Sequence, residues 1–231
     1  MGVHSLRGRR HRRQDSSLIP VGVGPSSLLT GLEFHYALED ASDSHADNTL
    51  TNTNDVTFTS GKLNNAATFD GTNYLSGPSI SIASGQWSFS FWAKITGSTA
   101  ALGGSLASQH MEFWIDGGKL DFYWKDSGDN WQHVLNDTTI TDGNWHHIVA
   151  SCDSETVSVI VDNGTPATGA WVSGLAGNFD LGLGSYRTID FLIGQLDEFG
   201  YRTRPLTSEE ITALHGDGTP PAYPFPGILP A

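Results

Sequence analysis

Apolar residues between positions 86 and 161 recur at every second position. In QWSFSFWAKI (86–95), Trp87, Phe89 and Phe91 share one side of an extended chain, and Ser88, Ser90 and Trp92 share the other. MEFWIDGGKLDFYWK (111–125) sets two aromatic runs around Asp116-Gly117-Gly118, a hairpin signal. In DGNWHHIVASCDSETVSVIVDNG (142–164), Ile148, Ala150 and Cys152 alternate into a turn at 153–155. Val157, Val159 and Val161 then alternate up to Asn163-Gly164. Many short strands with frequent turns, and no intervening helices, predict an all-β fold, a β-sandwich.

One helix is predicted. RPLTSEEITALHG (204–216) offers Thr207 as N-cap with Glu210 three residues on, a capping box. Leu206 and Ile211 stand where a hydrophobic staple packs, and Gly216 suits the left-handed C-terminal position. Barely two turns long, this helix is expected to lie on a sheet as a lid.

Composition divides the chain into three. Residues 1–27 are basic and then rich in Pro, Gly and Ser, and read as an extended arm. Residues 28–216 hold the sandwich. Residues 217–231 carry five of the ten prolines and read as an extended, polyproline-like tail. The hydrophobic fraction is 38%, with seven Trp, eleven Phe and six Tyr, enough for a thick core. Cys152 is the lone cysteine, so no intrachain disulfide forms, and its place in an alternating run predicts a small core residue. No apolar run reaches the length of a membrane span, and SSLIPVGVGPSSLL (16–29) is a poor signal-peptide core, broken by Pro20 and Pro25. An Arg- and Ser-rich start is also compatible with an organellar transit peptide.

Charge changes this picture. Residues 1–30 carry five Arg (Arg7, Arg9, Arg10, Arg12 and Arg13) against one acid, Asp15. The other residues carry seven basic against 24 acidic side chains, a balance of −17. The body repels phosphate backbones, whereas the arm seeks acidic surfaces. Those five arginines are the candidate partner-binding residues. An acidic protein neighbour comes first, and nucleic acid second and without sequence recognition, because no base-reading motif accompanies them.

Four segments in order resemble the laminin-G-like branch of the concanavalin A-like lectin/glucanase jelly rolls. They are GLEFHYALEDASDSHADNTLTN with GKLNNAATFDGTNYLS (31–76), WSFSFWAKI (87–95), GNWHHIVASCDSETVSVIVDNG (143–164) and IGQLDEFGYRTRPLTSEEITAL (193–214). The resemblance spans roughly residues 30–216 and implies that the sandwich already read from periodicity is a two-sheet antiparallel jelly-roll sandwich. It resembles modules of bacteriophage structural proteins and bacterial surface proteins. This implies a non-enzymatic, oligomeric virion protein, a decoration or fibre protein fastened to a capsid neighbour by its arm. The alternative is an extracellular carbohydrate-binding module of a bacterium, and a third reading is a glycoside hydrolase.

Hydrolysis needs two carboxylates aimed at one glycosidic bond. The nearest segment, QLDEF (195–199), has Asp197 and Glu198 adjacent and therefore facing opposite ways, with Gln195 where a first carboxylate is wanted. No catalytic residue is assigned. Leu196 and Phe199 differ in parity, which predicts a bulge at Asp197-Glu198 and a carboxylate tying down loop amides. In the resembled family the matching Asp sometimes helps hold a structural calcium, with acids such as Asp40 or Asp43, but no cofactor follows from the residues themselves. His146 and His147 diverge in a strand, so no zinc site is expected, and His110 and His133 have no ligand spacing. For sugar contact the candidates are Trp124 and Trp131, which flank the hairpin tip KDSGDN, against the plain alternative that both fill the core.

Overall fold

A computed structural model describes residues 25–225 except 98, 99, 109 and 175. The five arginines of the arm lie outside the described residues. A short helix, α1 (Pro25–Leu29), leads into β1 (Leu32–Tyr36), β2 (Thr51–Thr53), β3 (Thr57–Ser60), β4 (Asn65–Asp70) and β5 (Tyr74–Ile80). Next come β6 (Gln86–Ile95), β7 (Ala101–Ser105), β8 (Met111–Asp116), β9 (Lys119–Lys125) and β10 (Trp131–Thr139). The chain continues through β11 (Trp145–Asp153), β12 (Thr156–Val161), β13 (Ala167–Ala170) and β14 (Phe179–Leu183). It ends with a small ribbon, β15 (Ser185–Tyr186) and β16 (Asp190–Phe191), then β17 (Ile193–Arg202) and helix α2 (Ser208–His215).

The strands form an all-β antiparallel sandwich of eight- and seven-stranded sheets. One sheet runs β13-β12-β11-β6-β17-β4-β3, with β1 also on β17, and the other runs β10-β9-β8-β7-β14-β5-β2. Alternation sets both faces of β6, as expected. Trp87, Phe89, Phe91, Ala93 and Ile95 join the core between the sheets. Across it, Phe113 of β8 meets Phe89 and Phe91 edge-on at 5.6 and 5.1 Å, and Trp87 lies 5.5 Å from Phe122 of β9. Cys152 is buried in the same core.

The hairpin at 116–119 closes through Gly117 and Gly118, both at positive φ (+55° and +85°), which the strand twist demands of a two-residue loop. The bulge predicted at Asp197-Glu198 is present. Register on β6 shifts between Asp197 and Gly200, and Glu198 sits at φ +51°. That kink lets one long strand pair with β4 through residues 193–196 and with β1 through residues 199–202.

The outer face of the eight-stranded sheet is covered. Ile211 and Leu214 from α2 and Leu206 just before it, with Leu28, Leu32 and Phe225, pack on Val149 and Ile160. The capping box forms in full: Thr207 accepts from the Glu210 amide, and Glu210 returns to the Thr207 amide. Both Glu210 oxygens also accept from Arg204 at 2.7 Å. Gly216 caps the helix at φ +56°.

Two expectations change here. The arm boundary at residue 27 is crossed by α1, an additional helix whose Leu28 is drawn under α2. The tail is not extended from residue 217 through Phe225. It turns at Ala222–Phe225, and Phe225 is buried against His35 and the outer face because its ring finds apolar cover there.

Candidate functional site

The described residues leave the outer face of the seven-stranded sheet open, with a cleft of about 420 Å³ towards its β10 edge. Odd and even positions of β8, β9 and β10 build it. Met111, Phe113, Leu120, Phe122 and Val134 point into the core. Their neighbours Glu112, Trp114, Tyr123 and Trp131 line the cleft. Cross-strand register brings these together: Glu112 opposes Tyr123, Trp114 opposes Asp121, and Tyr123 opposes His133.

The ribbon β15–β16 closes one side with Tyr186, Arg187 and Asp190. Gly184 makes this approach. It sits at φ +79°, and an added Cβ would lie 2.2 Å from the Phe69 ring, so only glycine lets the chain turn there. Arg187 and Thr188 at the ribbon's tip both have positive φ (+53° and +57°), unfavourable for a β-branched residue. The Arg187 amide is fastened to the Ser105 carbonyl at 3.0 Å.

Polar groups are placed among the rings. Asp121 is buried and accepts from His133 Nδ1 at 3.0 Å, and the His133 ring stacks on Tyr123 at 5.0 Å. Trp131 is 40% exposed, stands edge-on to Tyr123, and has Lys125 Nζ 5.4 Å from its ring. Burial first, then Asp121, pushes the Tyr123 hydroxyl up to about 12. Burial, then the neighbouring Asp190, pushes Glu112 up to about 7, with Arg187 pulling the other way.

Trp124 requires a correction. It is 1% exposed, stacks on Trp171 at 5.6 Å and donates from Nε1 to the Val172 carbonyl at 3.2 Å. Its parity is that of Leu120 and Phe122, so it fills the core and offers no platform to a sugar. Trp131, of the opposite parity, stays on the open face. The signal that separates them was present in the sequence, because Asp121, Tyr123 and Lys125 mark the outer side of β9.

Asp197 does what the bulge predicted. Its Oδ2 accepts from the Lys62 and Leu63 amides at 2.8 and 2.9 Å, and its Oδ1 from the Glu198 amide. Glu198 faces away, 3.0 Å from His35 Nε2. Asp43 is engaged by the amides of His35 and His45 and by Asn48, and Asp40 by Ser42. These acids therefore do not gather into the calcium set considered above. Among the described residues, no three His, Cys, Asp or Glu side chains are grouped to hold a metal ion. His146 and His147 diverge as expected: the first lies between Asp142 and Asp162, the second against Trp92.

The two-sheet sandwich agrees with the comparisons. Residues 69–212 match a laminin-G family described as the concanavalin A-like lectin/glucanases superfamily. The chain belongs to that superfamily. Among solved lectin-like folds it is similar to domain 4 of AbnA, a GH43 extracellular arabinanase from Geobacillus stearothermophilus, in complex with arabinotriose. That match has 22% identity and a TM-score of 0.66, and covers 81% of this chain and 98% of the other. The binding domain of Paraclostridial Mosquitocidal Protein 1 matches at 15% identity and TM-score 0.66, over 81% of this chain. The binding domain of botulinum neurotoxin DC in complex with SialylT matches at 11% and 0.66, over 83%. The chain spans 52% of each of these two toxin domains. No curated protein matches the chain in sequence. Among the described residues no helix is long and apolar enough to cross a membrane.

Proposed function

We propose that this lectin-like domain is a non-catalytic glycan-binding module whose saccharide site is the open cleft between β8, β9, β10 and the β15–β16 ribbon. The observation that carries this reading is Trp131. It is a large aromatic ring left 40% exposed beside Tyr123, on a face where carboxylates and Arg187 supply hydrogen-bonding groups. Sugar rings present C–H faces that stack on aromatic rings, and their hydroxyls seek planar polar groups. The AbnA domain, solved with arabinotriose, lends the reading a precedent on the same fold. An extracellular or particle-surface location follows from it.

The test is a glycan array followed by calorimetric titration, with arabinotriose as the first probe. A saccharide that binds wild type and loses about tenfold or more in affinity with Trp131→Ala supports the module. Binding unaffected by Trp131→Ala and Tyr123→Ala, or turnover of the bound saccharide, contradicts it.

The charge division favours a further reading of context. Five arginines within residues 7–13, on a chain whose remainder balances at −17, suit a tether to an acidic neighbour. In that setting the module is a virion decoration or fibre protein, displayed as an oligomer on a capsid. Deleting residues 1–24, which spares α1, is expected to abolish incorporation into particles and leave the sandwich folded; normal incorporation contradicts the tether.

A further inference from the structure

Glu112 stands in the cleft with an unmet bond. The residue is 9% exposed, and its Oε2 is buried with no hydrogen-bond partner. The residues facing it do not neutralise it. From β9 come Asp121, already taken by His133, and Tyr123. From the ribbon come Tyr186, Asp190 and Arg187, so the facing carboxylates outnumber the facing guanidinium. β7 contributes Gly104 opposite Glu112, with no side chain at all. Lys125, farther along the face, is held by Asp129 at 2.6 Å.

A buried carboxylate oxygen without a donor is costly, and the protein supplies none. A sugar hydroxyl would satisfy the lone pair and leave the charge. An ammonium satisfies both, through a charge-assisted hydrogen bond that also gains from surrounding aromatic faces. Trp114, Tyr123, Trp131 and Tyr186 supply those faces. The same acidic field works against carboxylated or sulfated saccharides.

We propose that the cleft selects saccharides carrying a free, protonated amine, with the ammonium pairing with the Glu112 carboxylate and the sugar ring lying against Trp131 and Tyr123. This rests on the glycan-binding reading and names its ligand class as hexosamine. It has a consequence in pH. Burial, then Asp190, holds Glu112 up at about 7. Below that value an incoming ammonium must displace a proton from Glu112, so affinity for the amino sugar rises as pH rises towards about 7 and falls again once the sugar amine loses its own proton.

The experiment is calorimetric titration of the full chain with the glucosamine trisaccharide and with its N-acetylated counterpart, which differs in the amine alone. Wild type is expected to bind the free-amine trisaccharide about tenfold or more tightly than the acetylated one. Glu112→Gln is expected to abolish that preference, so that the free-amine and acetylated ligands bind the variant with the same affinity. Should Glu112→Gln fail to fold, wild type alone decides: its preference must shrink when pH is lowered from about 7 to about 5.5. Equal affinity for both ligands, a preference that survives Glu112→Gln, or a preference indifferent to pH overturns the proposal. Binding of neutral saccharides only overturns the amine preference and leaves the glycan module standing. Binding of no saccharide overturns both.

Discussion

The sandwich has two outer faces, and they are treated differently. On the eight-stranded sheet, α2 and residues 219–225 cover the outer side, and the void left between His35, Ser90, Trp92, His147, Glu198 and the cover is about 10 Å³, room for one water at most. On the seven-stranded sheet no helix among the described residues lies over the outer side, and the cleft is about 420 Å³. Both faces carry aromatic and charged groups, so residue type does not distinguish them. Access does. Trp92 Nε1 and the two terminal nitrogens of Arg202 lack hydrogen-bond partners under the cover, whereas the carboxylate of Glu112, with its own unpartnered Oε2, belongs to a residue that lines an open cleft. Exposed aromatic area next to an unmet polar atom marks the recognition face; the same chemistry under a lid marks structure.

Substitutions can break this contrast, and the largest effects belong to the buried side. Trp124→Ala is expected to lower stability by about 3–5 kcal/mol in chemical denaturation, as for any buried Trp, because its ring packs on Trp171 and Phe122 in the core. Phe225→Ala removes the ring that seals His35 and is expected to cost about 3 kcal/mol. Saccharide binding should be unchanged in the Phe225 variant, and a loss of binding would show that the covered face takes part.

The covered face also sets a pH response. Burial, then Arg202, holds His35 down at about 3, and burial, then Glu39, pushes Glu198 up to about 8, so their 3.0 Å contact is a neutral hydrogen bond at pH 7. Glu198 keeps a proton in the folded chain that the unfolded chain loses above about 4.5, so it lowers stability as pH rises from there to about 8. His35 acts in the opposite sense between about 3 and 6.5, since the unfolded chain binds a proton the folded chain refuses. The two cancel between about 4.5 and 6.5, leaving a net loss between about 6.5 and 8. Asp197, pushed up to about 8 by burial, adds to that loss. Glu198→Gln is expected to reduce the alkaline slope by about 1.4 kcal/mol per pH unit over this window; an unchanged slope contradicts the neutral pairing.

A smaller effect falls on the lid. Thr207→Ala removes one half of the capping box and is expected to cost about 1 kcal/mol in thermal or chemical unfolding. No change would mean that α2 is held by its apolar face and Arg204 alone.

Much of the fold was legible because its determinants are local. Alternation at 87–95, the paired glycines at 117–118 and the capping box at 207–210 each fix a geometry from adjacent residues. The bulge at Asp197-Glu198 was legible from broken parity, and so was the job of its carboxylate. The cleft was not. Tyr186, Arg187 and Asp190 reach it from a ribbon more than 50 residues beyond β9, and their approach depends on Gly184 turning against Phe69. Trp124 and Trp131 flank the same hairpin tip and look alike by proximity, while strand parity sends one inward and the other outward. The covering of one face by the tail was illegible too, since nothing local tells that Phe225 will dock on His35 rather than stay in solvent.

The central claim is that the open face binds saccharide through Trp131 and that this ring does little for stability. It is tested most directly by calorimetric titration of the tightest array glycan into wild type and Trp131→Ala, alongside their thermal unfolding. The account predicts an affinity loss of about tenfold or more with stability changed by no more than about 0.5 kcal/mol. Unaltered affinity, or a variant that fails to bind because it no longer folds, would contradict it.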